Sequence, residues 1–193
     1  MCKKIFPVIT ALFTLLLPVQ AMTAPANIID ENFSTTSIGR TMEYLEDRNG
    51  TMTLEEVQQN TGWKLNADKA INLGFARSIY WFRFTSVNQL ASTESWYFEI
   101  SYPMLDSLKL YSPDDNGVYS MVETGDHLPF YKRDVDNTGF VFHFVDSPGI
   151  KTYYFRIQTT SAISFVPVMM SQKAFFKKIN TEIPVFWVYY GLM

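Results

Sequence analysis

Two short steps in this 193-residue chain place a ring next to a guanidinium: Trp81-Phe82-Arg83 and Tyr154-Phe155-Arg156. Each lies in a run with apolar alternate positions, Tyr80, Phe82 and Phe84 in the first and Tyr153, Phe155 and Ile157 in the second. A period of two is that of a strand with one face in a core. Trp81 with Arg83, and Tyr154 with Arg156, then share the other face at a spacing of about 7 Å. A ring there offers an apolar plane to the C–H side of a sugar, and a guanidinium donates paired hydrogen bonds to hydroxyl or carboxylate oxygens. Asp106, Asp126 and Asp134 supply acceptors for hydroxyls, and Arg133 is a further donor, with Lys132 and His127 in the same charged stretch. The same residues also have a structural reading. Each Arg lies on its neighbouring ring, or pairs with Asp106 or Asp126, and fastens the sheets.

Strands must carry these side chains, and from Ile79 onward the chain is nearly all strand. Alternating runs fall near 79–87, 95–101, 107–112, 118–123, 138–145, 151–159 and 164–171, with turn residues at 88–94, 114–117 and 146–149. Thr41 to Glu46 adds a first strand, closed by Asn49-Gly50, and the total is eight. Trp96, Phe98 and Ile100 mark the core face of one strand and Phe140, Phe142 and Phe144 that of another. The pattern predicts an all-β fold, an eight-stranded antiparallel jelly-roll sandwich with one short N-terminal helix. That helix starts at Thr53, which with Glu56 forms a capping box, has Met52 and Val57 placed for a hydrophobic staple, and stops at Gly62. Leu54, Val57 and Trp63 are expected to pack it against one edge of the sheet. The longest irregular stretch, Gly125 to Asn137, is either a binding loop or a crossover that covers an edge.

Composition narrows the function. The chain is 47% apolar with 16 Phe and 11 Tyr, enough for one domain with a full core. Its net charge is −3, and removal of Lys3 and Lys4 with a leader leaves 14 basic against 19 acidic residues, so nucleic acid is not an expected partner. Lys3-Lys4, the apolar stretch Ile5 to Leu17 and Val19-Gln20-Ala21 read as a signal peptide over 1–21. Residues 22–40 form an N-terminal segment, 41–175 the domain, and 176–193 a juxtamembrane segment. That last segment is read as the opening of a first membrane helix in a chain that continues, the competing reading being an amphipathic or buried helix that ends a soluble domain. Cys2, the lone cysteine, leaves with the signal. Two histidines, no exported thiol, no Gly-rich phosphate loop and no metal-ligand spacing argue against an enzyme, and no cofactor or metal is expected. His143, between Phe142 and Phe144, reads as a face residue, and Asp114-Asp115 as a hairpin turn.

The order of motifs resembles one bacterial family. Leu73-Gly74-Phe75, Tyr80-Trp81-Phe82-Arg83-Phe84 with Asn88, Pro103-Met104-Leu105-Asp106-Ser107-Leu108-Lys109-Leu110-Tyr111, Gly125-Asp126 with Pro129 and Arg133, and Tyr154-Phe155-Arg156 with Ser161 follow one another over residues 41 to about 175. This resembles the second class of extracellular domain in the seven-transmembrane receptors with diverse intracellular signalling modules (7TMR-DISM). The resemblance implies a jelly-roll sensor domain in the periplasm, proposed in that family to bind carbohydrate, on an inner-membrane protein. It also implies membrane helices and an output module, a diguanylate cyclase or histidine kinase, beyond residue 193. The expected partners are a carbohydrate or other small periplasmic ligand and, through the C-terminal helix, the membrane. The family supplies no agreed ligand residues. The alternative is a protein-interaction or homodimerisation module that takes no small ligand.

Overall fold

The computed structural model describes residues 24–191, with side chains to residue 181. The expected signal peptide therefore lies outside the described residues, and the expected membrane segment is described beyond residue 181 by its backbone alone. In chain order the strands are β1 (Asn27–Ile29), β2 (Thr35–Ser37), β3 (Glu43–Asp47), β4 (Lys64–Leu65), β5 (Ile71–Phe75), β6 (Ile79–Asn88) and β7 (Glu94–Ile100). There follow β8 (Ser107–Pro113), β9 (Tyr119–Thr124), β10 (Phe140–Asp146), β11 (Gly149–Gln158), β12 (Ala162–Phe165) and β13 (Pro167–Ser171). Two helices complete the chain, α1 (Leu54–Gln59) after β3 and α2 (Gln172–Gly191) at the end.

These elements form a two-sheet sandwich. The large sheet runs β4-β3-β6-β11-β8-β9, with β1 added in parallel along β6, and the small sheet runs β10-β7-β13-β2. A third pair, β12 with β5, is separate. All eight expected strands are present, the last divided into β12 and β13 at Val166, and β1, β2, β4 and β5 are additional. Residues 22–40, expected to precede the sandwich, instead supply strands to both sheets. β1 and β2, with three residues each, are too short for an alternating signal to show.

The core is a stack of rings. Phe82 and Phe84 of β6 and Tyr153 and Phe155 of β11 face Trp96 and Phe98 of β7 and Phe140, Phe142 and Phe144 of β10. Phe84 lies 5.1 Å from Phe98 and 5.2 Å from Tyr153, and Trp96 lies 4.4 Å from Phe144, between ring centroids. Each such side chain contributes about 1.5–3 kcal/mol by leaving water.

Inside this apolar stack sits one carboxylate. Asp146, at the end of β10, accepts from Trp96 Nε1 at 2.8 Å, from the Tyr153 hydroxyl at 2.6 Å and from Ser86 Oγ at 3.4 Å. Lys151 Nζ lies 3.3 Å from Asp146 and 2.9 Å from Asp115. Burial pulls the Lys151 ammonium down, but its two carboxylate partners outweigh that and hold it above its ordinary value. Burial and then the Asp146 charge push the Tyr153 hydroxyl far up, so it stays a donor.

Local chemistry sets the first helix. Asp47, buried at the end of β3, accepts from the amides of Gly50, Thr51 and Met52. Gly50 takes φ 70° in that turn, a conformation that favours glycine. Thr53 then caps α1, accepting from the Glu56 amide at 3.3 Å while Glu56 accepts from the Thr53 amide at 2.8 Å. The helix ends at Asn60, two residues before Gly62. α1 lies over the outer face of the large sheet, not at an edge as expected, because Val57 and Leu54 pack with Trp81 and Tyr154.

On the other side, α2 opens against the small sheet. Phe175 stacks on Tyr97 at 4.0 Å, and Lys178 Nζ donates to the buried Glu99 at 2.6 Å. His143 stacks on the same Tyr97 at 4.8 Å and bonds Ser95 Oγ at 2.7 Å, a face residue as expected. Among the described residues no helix is long and apolar enough to cross a membrane.

Replacing Asp146 with Ala strands the donors of Trp96 and Tyr153 and the Lys151 charge. Urea denaturation should register a loss of about 3–5 kcal/mol. The pair also has a pH signature. Because the folded Lys151 value is raised, its stabilisation is present below the ordinary lysine pKa of about 10.4 and is lost as pH rises through the folded value. Alkaline titration of thermal stability should show that loss in the wild type and not in Lys151→Met.

Candidate functional site

The two ring-and-guanidinium steps meet as neighbours. β11 runs antiparallel to β6 so that Tyr154 lies opposite Arg83 and Arg156 opposite Trp81, while β3 places Glu43 opposite Arg83 on the far side. The four side chains share one sheet face, as their spacing predicts. That face is itself covered. Trp81 is 1% exposed and Tyr154 6%, and with Leu45, Val57 and Ile79 they form a second apolar cluster beneath α1. Trp81 stacks on Tyr111 at 5.4 Å, and Tyr154 meets Trp63 at 6.1 Å in a tilted contact. The Trp81 indole N–H is buried without an acceptor among the described residues. Its ring is held for apolar area and not for its polar edge.

The arginines on this face have protein partners. Arg83 donates to both Glu43 oxygens, at 2.6 and 3.0 Å, and its guanidinium lies 4.4 Å from the Trp63 ring centroid. Arg156 donates to the Gly50 carbonyl at 3.3 Å. The fastening role weighed from sequence is the geometry found here, with Glu43 and Trp63 as partners where Asp106 or Asp126 was expected. Burial raises the Tyr154 hydroxyl, with Arg83 opposing.

Arg133 behaves similarly in the long loop. Its Nη1 faces the carbonyls of Asn137, Thr138 and Gly139 at 2.5, 2.7 and 3.1 Å, and the guanidinium sits 4.8 and 4.9 Å from the Phe130 and Phe140 rings. It ties the loop to itself and to the core. Asp134 accepts from the His143 amide at 2.7 Å. Asp126 is exposed, and its amide donates to the Leu105 carbonyl at 2.8 Å.

Asp106 lies elsewhere, in an open cleft of about 650 Å³ at one end of the sandwich. Phe75 ends β5, Arg77 lies in the β5–β6 turn, Asp106 directly precedes β8, His127 comes from the long loop, and Thr160 from the segment after β11. Asp106 Oδ2 accepts from the Thr160 amide at 2.7 Å and its hydroxyl at 2.9 Å, leaving Oδ1 facing His127 Nε2 at 3.7 Å. Burial pushes the Asp106 carboxyl up, but the two Thr160 bonds and the His127 charge outweigh it and hold the group below the usual carboxylate range. Gly125 brings the loop in. A Cβ there would meet the Asp106 carbonyl oxygen at 2.1 Å.

Phe75, 86% exposed, is the ring that sequence reasoning missed. Ile71 of the same strand is fully buried. The β5–β12 register shifts at Ile163/Ser164, opposite residues 72–74, and Gly74 takes φ 66°. Such a bulge re-aims the following side chain outward. The available signal was the glycine directly before an aromatic residue.

The fold is thus a two-sheet β-sandwich with buried fasteners on one face and an open cleft of polar and aromatic groups at one end. The family model of 7TMR-DISM extracellular 2 matches residues 39–171, and the chain belongs to that family of extracellular sensor domains. No curated protein matches the chain. Among solved structures it is similar to the enzymatically active domain of bacteriophage CBA120 tailspike protein 4, with 11% identity and a TM-score of 0.32, over 72% of this chain and 19% of that one. It is also similar to CBM35 from Cellvibrio japonicus Abf62, with 8% identity and a TM-score of 0.28, over 74% of this chain and 89% of that one.

The two kinds of ring should separate on stability. Trp81→Ala is expected to cost about 3–5 kcal/mol, as for other buried aromatic truncations. Phe75→Ala should stay within about 0.5 kcal/mol of wild type, as for a surface position. Chemical denaturation of both variants measures the contrast.

Proposed function

We propose that this domain is the ligand-sensing part of an inner-membrane receptor, exported to the periplasm by residues 1–21, and that it takes carbohydrate in the end cleft. The observation that carries this reading is the Phe75 ring, bare to solvent beside the fixed acceptor Asp106. A cleft of this size suits one or two sugar units. An exposed ring plane receives the C–H face of a pyranose, while Asp106 Oδ1 and the Gln158 side chain at the wall meet hydroxyls. Asp106 is the ligand residue of the original set that this reading keeps, and Asp126 precedes His127 at the rim. Trp81, Arg83, Tyr154, Arg156 and Arg133 serve it indirectly, by holding the sheet and the loop.

A sensor must release its ligand, so affinity is expected between about 1 μM and 1 mM. Titration calorimetry of an oligosaccharide panel should find binding in that range, and Phe75→Ala should weaken it at least tenfold. If Phe75→Ala binds as well as wild type, the cleft is the wrong place. The interaction-module reading draws on β9, a sheet edge that exposes Met121 and Val122. A mass that rises with concentration on sedimentation, with no sugar response, would favour that reading instead.

A further inference from the structure

The cleft holds one charged group without a protein partner. Arg77, on the β5–β6 turn, is exposed and makes no ion pair, hydrogen bond or ring contact among the described residues. The other charges there are engaged. Asp106 is committed through Oδ2 to Thr160, and His127 lies 3.7 Å from its Oδ1. The contrast with the other arginines near the expected site is direct: Arg83 has Glu43, Arg156 has Gly50 and Arg133 has three carbonyls.

Resting on the carbohydrate reading above, we infer that the end cleft selects acidic sugars, specifically hexuronates, with the Arg77 guanidinium receiving the carboxylate of a ring stacked on Phe75. A guanidinium presents its N–H groups as a planar fork that matches a carboxylate with two parallel bonds. Phe75, the last residue of β5, and Arg77, in the turn that follows, are two residues apart, and both line the cleft. A hexuronate separates its apolar ring face from its C6 carboxylate by about the length of one exocyclic bond, and so satisfies both groups at once. Asp106 Oδ1 would disfavour a carboxylate placed against it, which orients the acid group toward Arg77 and the hydroxyls toward Asp106.

Two matched probes test this on the full chain: methyl glucuronide against methyl glucoside, and galacturonate tetramers against galactose tetramers, each followed by NMR titration. The expected result is at least tenfold tighter binding of the acid member of each pair, and Arg77→Gln should bring the acid-to-neutral ratio to about one. The exposed position of Arg77 leaves folding intact, which an unchanged melting temperature would verify. Equal binding of acid and neutral sugars overturns the charge selection and leaves the carbohydrate reading standing. A preference for the acid that survives Arg77→Gln places the recognition elsewhere and overturns this assignment. No binding of any sugar overturns both readings.

Discussion

A single carboxylate between the layers constrains how this sandwich can close. Asp146 ends β10 of the small sheet, yet its partners include Trp96 on β7 of that sheet and Ser86, Lys151 and Tyr153 on β6 and β11 of the other. Apolar rings alone would tolerate a slide of one layer over the other, since dispersion and burial have little directional preference. A buried anion does not. Every donor around it must arrive in place, or its desolvation goes uncompensated. The register of the aromatic stack, and with it the alignment of the loops at both ends, follows from that requirement.

The architecture was readable because long strands dominate it. Tyr80, Phe82 and Phe84, and Tyr153, Phe155 and Ile157, alternate cleanly, and the Thr53–Glu56 box marks the start of α1 to the residue. Short strands left no such trace: β4 has two residues and β1 only three. The parallel placement of β1 beside β6 depends on contacts some sixty residues apart, such as Asn27 Nδ2 donating to the Thr85 carbonyl at 2.9 Å, which no local pattern encodes.

The site was harder to read for a different reason. A period of two tells which residues share a face but not whether a third layer covers it. Trp81 and Tyr154 do lie together on the face away from the main core, and α1 with Trp63 then closes over them. Phe75 shows the reverse. It ends a segment to which no strand was assigned from sequence, and beyond a shift in pairing it is exposed while Ile71 is buried. Asp106 could be found from composition and motif order, but its neighbours Arg77 and Thr160 come from distant parts of the chain and meet only in the folded state.

The bond between α2 and the small sheet has a mechanical corollary. Phe175 rests on Tyr97 and Lys178 reaches Glu99, two residues apart on β7, which is an inner strand of its sheet. Rolling the helix about its long axis would break that ring contact and that half-buried ion pair. The first two turns of α2 are thus less a tether than a splint, pinned at two points to one inner strand of the small sheet.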